Sequence, residues 1–127
     1  MFSHVTVGTN DFERAAAFYD AVLVILGHGR FTSGDGYAGY GSPNDNQFWL
    51  LSPFDQGTAT PGNGSHVAFL APSRAAVRAF HGAALANGGS DEGPPGLRAH
   101  YHPNYYGAYV RDPDGNKIQA VCHRSED

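Results

Sequence analysis

The chain holds one cysteine, Cys122, among 127 residues. A single thiol excludes any internal disulfide and fits a reducing compartment, so a cytoplasmic location is expected. Basic residues are also scarce: 8 Lys and Arg stand against 12 Asp and Glu, for a formal net charge of -4. They are scattered, which excludes a nucleic-acid footprint. No apolar run approaches the roughly 18 residues of a membrane span, so no membrane partner is expected. No basic segment followed by an apolar one opens the chain, and no signal peptide is read. The length suits one compact domain, 1–127, with enough chain to bury a core.

What the chain has in excess is glycine, 17 residues, together with 7 histidines. Two of those histidines open matching stretches. Ser3-His4-Val5 begins a run to Gly27, and Ser65-His66-Val67 begins another to Gly89. At a constant offset of 62 (66 minus 4), Ala17/Ala79, Phe18/Phe80, Ala21/Ala83 and Leu23/Leu85 also coincide. An ungapped internal match of this length marks a duplicated structural unit. The two units are module 1, about 1–53, and module 2, about 65–124. A Gly-, Pro- and Thr-rich linker, about 54–64, joins them.

Residues 3–8 alternate, which predicts a strand with Val5 and Val7 on one face and His4 and Thr6 on the other. Asn10 is positioned to cap a helix, with Glu13 completing a capping box. Ala15, Phe18, Tyr19, Val22 and Leu23 then follow at helical spacing, and Gly27 ends the run. The second unit repeats the scheme. Val67 and Phe69 oppose His66, Ser73 caps a helix, and Val77, Phe80, Ala84 and Leu85 form its stripe. Shorter strands are expected near 29–32, 37–41 and 47–52, and near 97–102, 105–111 and 116–122. Asp112-Pro113-Asp114-Gly115-Asn116 is a turn between the last two. Each module therefore reads strand, helix, strand, strand, strand. Branched and aromatic residues bury against the helices, so His4 and His66 lie on the opposite face. Ile118, Ala120 and Cys122 fall on the helix side, leaving Gln119 and Val121 opposite.

Paired modules of this kind, an opening histidine in each, and Asp112-Pro113-Asp114-Gly115-Asn116-Lys117-Ile118 before a polar residue resemble the vicinal oxygen chelate superfamily. That group includes glyoxalase I, bleomycin-resistance proteins and extradiol dioxygenases. The resemblance implies an α+β fold in which two βαβββ modules form a curved mixed sheet around a groove, commonly in a homodimer. It also implies a divalent metal (Zn, Ni, Fe or Mn) held by residues of the first and last strands of each module. By position these are His4, a residue of the 47–52 strand, His66 and Gln119. The chain departs from that pattern twice. The first-module carboxylate position falls at Trp49 or Leu50, neither of which binds metal, and the second-module glutamate is Gln119. His4, His66 and Gln119 are left as candidate ligands. Tyr109 and His102 are the candidate catalytic groups, since a tyrosine on that strand lies near the metal in dioxygenase members and the 100–106 segment can close over the groove. Trp49, Tyr106 and His100 are candidate pocket residues, although Tyr106 and Tyr109 fall on opposite strand faces. The expected function is a glyoxalase-like enzyme, of lyase or dioxygenase type, acting on a small oxygen-rich substrate. The alternative is a metal-free binder of small molecules or drugs, of the bleomycin-resistance type.

Overall fold

A computed structural model of the chain describes residues 1–125. Its order is β1 (His4–Gly8), α1 (Phe12–Ile25), β2 (Arg30–Gly34), β3 (Tyr37–Gly41) and β4 (Gln47–Leu51), then β5 (Val67–Leu70), α2 (Arg74–Ala86), β6 (Ser90–Leu97), β7 (Tyr106–Arg111) and β8 (Lys117–Cys122). Two βαβββ units form two four-stranded mixed sheets, ordered β1-β4-β3-β2 and β5-β8-β7-β6. β1 runs parallel to β4 and β5 parallel to β8; the remaining pairs are antiparallel. The expected single curved sheet is thus two hydrogen-bonded sheets among the described residues, with β1 and β5 each at an edge.

α1 begins where the Asp11 carboxylate accepts a hydrogen bond from the Arg14 amide, so Asp11 and not Asn10 is the cap. Asn10 instead brackets the linker, its side chain donating to the Ala59 carbonyl and accepting from the Ala59 amide. Ala15, Ala16, Phe18, Tyr19, Val22 and Leu23 bury one face of α1, and Gly27 stops it at a φ of +93° that L side chains rarely adopt. α2 follows the expected plan, with Ser73 accepting from the Ala76 amide and Ala76, Val77, Phe80 and Ala84 buried. The helices pack on each other and on the strand residues that alternate toward them, which makes one core. Phe48 of β4 meets Phe69 of β5 edge to face, ring centroids 5.1 Å apart, and so joins the two units. Each large side chain buried there contributes about 1.5–3 kcal/mol.

One strand lies elsewhere than expected. β6 occupies Ser90–Leu97, and the 98–105 segment is a turn carrying the aromatic cluster. The Asp91-Glu92-Gly93-Pro94-Pro95-Gly96 run lacks a strand composition, but an edge strand tolerates proline and bulges. Its register with β7 shifts twice.

The modules meet at two opposite ends of the β1/β5 junction, and these differ. At one end the 112–116 turn seals the seam. The Tyr19 hydroxyl donates to Asp112 Oδ2, the Asn116 side chain donates to the Gly8 carbonyl at 3.0 Å, and the Asn10 amide donates to Asp114 at 2.9 Å. At the other, the 42–46 turn leaves a cleft of about 440 Å³ whose lining includes Phe2, His4, Leu23, His28, Phe48 and Leu70. Burial raises the Asp112 carboxyl above its ordinary value despite the opposing hydrogen bonds from Tyr19 and Asn116. The Tyr19 phenol is also pushed up, by burial first and then by the Asp112 charge. No helix among the described residues is long and apolar enough to cross a membrane.

Candidate functional site

The candidate residues His66, Tyr109 and Gln119 lie on the sheet face turned away from the helices. Strand pairing aligns the modules residue by residue: Thr6 pairs with Trp49 and Ala68 with Gln119, so Trp49 and Gln119 are equivalent. Gly39 pairs with Trp49 and Tyr109 with Gln119, so Gly39 and Tyr109 are equivalent as well.

On sheet 1 this face is aromatic and apolar. The Trp49 indole N–H donates to Gln47 Oε1 at 2.9 Å, and its ring lies near Phe31 (5.8 Å) and Tyr37 (6.3 Å). It sits over Gly39, where an added Cβ would stand 3.1 Å from two indole carbons. Trp49 is therefore an apolar wall.

On sheet 2 the face is aromatic and polar. Gln119 is 0% exposed; its amide N–H donates to the Tyr105 hydroxyl, and its Oε1 is buried with no hydrogen-bond partner among the described residues. Tyr109 stands beside it in register, and the Tyr109 phenol is raised by burial and by the hydroxyls of Tyr101 and Tyr105. His66, exposed just before β5, meets the Tyr109 ring at 5.9 Å. Lys117 Nζ lies 5.1 Å and the Arg98 guanidinium 5.7 Å from the centre of the same ring. Both attractions are of the cation–π type. Gly107 makes room for this arrangement, since a Cβ there would approach the Gln119 amide nitrogen at 3.1 Å.

His66, Tyr109 and Gln119 are thus brought together, while the other proposed residues go elsewhere. Tyr106 lies on the helix face, between the guanidinium groups of Arg74 (5.2 Å) and Arg78 (5.9 Å), so it leaves the pocket set. His100 is exposed and stacks on Tyr101 at 4.2 Å. His102 Nδ1 accepts the Asn104 amide, which assigns its proton to Nε2, and Nε2 faces His123 Nδ1 at 2.8 Å. Both ring nitrogens of His102 thus have partners, Asn104 and His123, and neither partner is Tyr109. Tyr101 and Tyr105 belong to the 100–106 segment expected to close over the groove, whereas no local pattern marks Lys117 or His123 as site residues. The density of His and Tyr in 100–106 was the available signal for the two tyrosines.

Residues 1–120 match the family model of the Glyoxalase/Bleomycin resistance protein/Dioxygenase superfamily. The chain belongs to this superfamily. It is similar to the crystal structure of a glyoxalase/bleomycin resistance protein from Albidiferax ferrireducens T118, with 46% identity, a TM-score of 0.89, and 98% of this chain and 99% of that one covered. A glyoxalase-related enzyme from Fulvimarina pelagi shares the fold at 22% identity and a TM-score of 0.75, covering 96% and 87% of the two chains. The oxidase ChaP-H2 shares it at 21% identity and 0.66, covering 98% and 94%. No curated protein matches the chain.

Members of the superfamily often use a divalent metal. Within one chain the donors here do not fit one. No group of three or more His, Cys, Asp or Glu side chains among the described residues is placed to hold a cation. His4 lines the cleft at the edge of sheet 1, its Nδ1 2.8 Å from the Ser3 hydroxyl, whereas Gln119 belongs to sheet 2 and His66 immediately precedes its strand β5. Tyr105 meets the Gln119 amide, the adjacent Tyr109 phenol resists ionisation, and two cations lie over the Tyr109 ring. A neutral amide beside positive charge is a poor cation site.

Proposed function

We propose that this chain binds a small, oxygen-bearing aromatic molecule without a metal, in the groove formed by the outward faces of its sheets. The observation that carries this reading is the division of labour between equivalent positions. Trp49, with Phe31 and Tyr37, offers an aromatic wall, while Gln119 with Tyr105, Tyr109 and His66 offers hydrogen bonds. A pocket with apolar walls and a few polar groups is the usual form of a small-molecule site. The two faces would close on one ligand in a homodimer, and exposed Tyr37, Leu70, Leu97 and Tyr101 leave apolar surface for that contact. Buried, unpaired Cys122 accords with a cytoplasmic setting. Titration of chelator-treated protein with small aromatic acids and phenols, followed by Trp49 fluorescence and amide NMR, tests the reading. Saturable binding, unchanged by added Zn, Ni, Mn or Fe, is expected. Binding that appears only with metal, or none at all, would sink it.

A glyoxalase-like lyase or dioxygenase with a metal shared across a homodimer is the second reading. It is favoured by His4 and His66, which sit exposed at matching positions and are not spent on the core. Elemental analysis of wild type beside a His4→Ala/His66→Ala variant decides it. About one metal per chain, lost in the variant, supports a shared site, as does turnover of methylglyoxal–glutathione adduct or catechols.

A further inference from the structure

We infer that Gln119 Oε1 is kept for a proton donor on the ligand and Lys117 for its anionic end, so that the site selects hydroxy-carboxylates over their ethers and over neutral phenols. This rests on the metal-independent binding reading and names the ligand class.

Three observations carry it. First, Gln119 is fully buried, yet only half of its amide is satisfied: the N–H donates to Tyr105 and the oxygen has no partner among the described residues. Buried acceptors are nearly always paired, so an orphan calls for a donor from outside the fold. Second, the hydroxyl that meets this amide is already engaged: Tyr105 receives the Gln119 N–H. Third, Lys117 lies two residues before Gln119 on the same strand face, about 7 Å along it. Its ammonium sits over the Tyr109 ring and forms no ion pair within 4.0 Å among the described residues. The carboxylate of Glu92 is taken by Arg111 at 2.6 Å. A hydroxyl at Gln119 and a carboxylate at Lys117 would satisfy the orphan oxygen and the unpaired cation together. Because Gln119 is fully buried, admission of the ligand requires its cover, which includes Tyr105, to open.

The test uses the whole, chelator-treated chain and three probes: 4-hydroxybenzoate, its ether 4-methoxybenzoate, and neutral 4-hydroxybenzyl alcohol. Calorimetry measures affinity, and NMR follows the Gln119 side-chain N–H groups. The hydroxy acid should bind about tenfold or more tightly than either control, as expected for a donor meeting a buried acceptor. It should also shift the Gln119 signals. Gln119→Met should bring the hydroxy acid and its ether to parity while keeping the preference over the alcohol; Lys117→Met should do the reverse. Equal binding of acid and ether by the wild type overturns the inference while leaving metal-independent binding intact. So does a preference for the hydroxyl that survives in Gln119→Met. If no probe binds, the binding reading falls and this inference with it. The wild-type comparison stands even where a variant fails to fold.

Discussion

The two modules have one architecture and opposite chemistry, and the difference comes from a few exchanged residues. Where module 1 places Tyr37 and Gly39 on β3, module 2 places Gly107 and Tyr109 on β7. The large ring has moved one pair along the strand and the glycine has taken its place. In module 1 the freed space receives the Trp49 indole; in module 2 it receives the Gln119 amide. The connecting turns diverge in the same way. Ser42-Pro43-Asn44-Asp45-Asn46 and Asp112-Pro113-Asp114-Gly115-Asn116 are equivalent five-residue links between paired strands. Ser42 Oγ accepts the Asn44 amide just as Asp112 Oδ1 accepts the Asp114 amide. Asp112 has a second oxygen, which reaches Tyr19 and Asn116 at the sealed seam, whereas Ser42 has none. The shared frame thus carries an apolar aromatic face in one half and a polar aromatic face in the other.

The largest break in this comparison should come from the turns. Asp112→Ala removes a buried acceptor of four hydrogen bonds and should cost about 3 kcal/mol, whereas Ser42→Ala should cost less than about 0.5 kcal/mol. Urea denaturation of the two variants reads both values; equal costs would mean that the sealed end does not hold the modules together. The glycine exchange gives the next effect. Gly107→Ala brings a Cβ to 3.1 Å from the Gln119 nitrogen and 3.3 Å from the Ala120 carbonyl. A backbone neighbour cannot yield, so about 1–2 kcal/mol of stability should be lost. Gly39→Ala meets only side-chain atoms of Thr32 and Trp49 and should cost about half as much.

A smaller signature is the pH dependence. The folded-state pKa of Asp112 is raised above the ordinary 3.8, so the folded protein binds this proton more readily than the unfolded chain. The Asp112 contribution should therefore fall as pH rises from about 3.8 to the raised value, and be flat above it. Comparing stability across that window in wild type and Asp112→Asn isolates it, and a wild-type difference of opposite sign would contradict the assignment. The smallest effect should be that of Tyr106→Phe. It lies against Arg74 and Arg78 on the helix face and should leave ligand affinity unchanged, while Tyr109→Phe weakens it. Calorimetry with 4-hydroxybenzoate separates the two.

Much of the frame was legible in the sequence. The offset of 62 marked β1, α1, β5 and α2, because a strand followed by a helix has strong local periodicity. The second half of each module matches at an offset of 70 instead, Pro43 with Pro113 and Asn46 with Asn116, a match too sparse to mark the strands. Eight additional residues fall between α2 and β7, and β6 within them has the composition of a loop. Among the candidate residues, alternation placed His66 and Gln119 on one face and the resemblance added Tyr109; the structure brings the three together. Alternation could not pair His102 with His123, which lie 21 positions apart and meet only through the 98–105 turn.

The sequence by itself determined the duplication, the α+β modules and the lack of a carboxylate at Trp49 and Gln119, because period-two and helical patterns are local properties of a chain. Only the tertiary structure decided which histidines meet, that Asp112 reaches Tyr19 across 93 positions, and that the Gln119 oxygen is buried without a donor. Those are contacts between distant segments. They depend on how two sheets and two helices pack, and no local spacing encodes that.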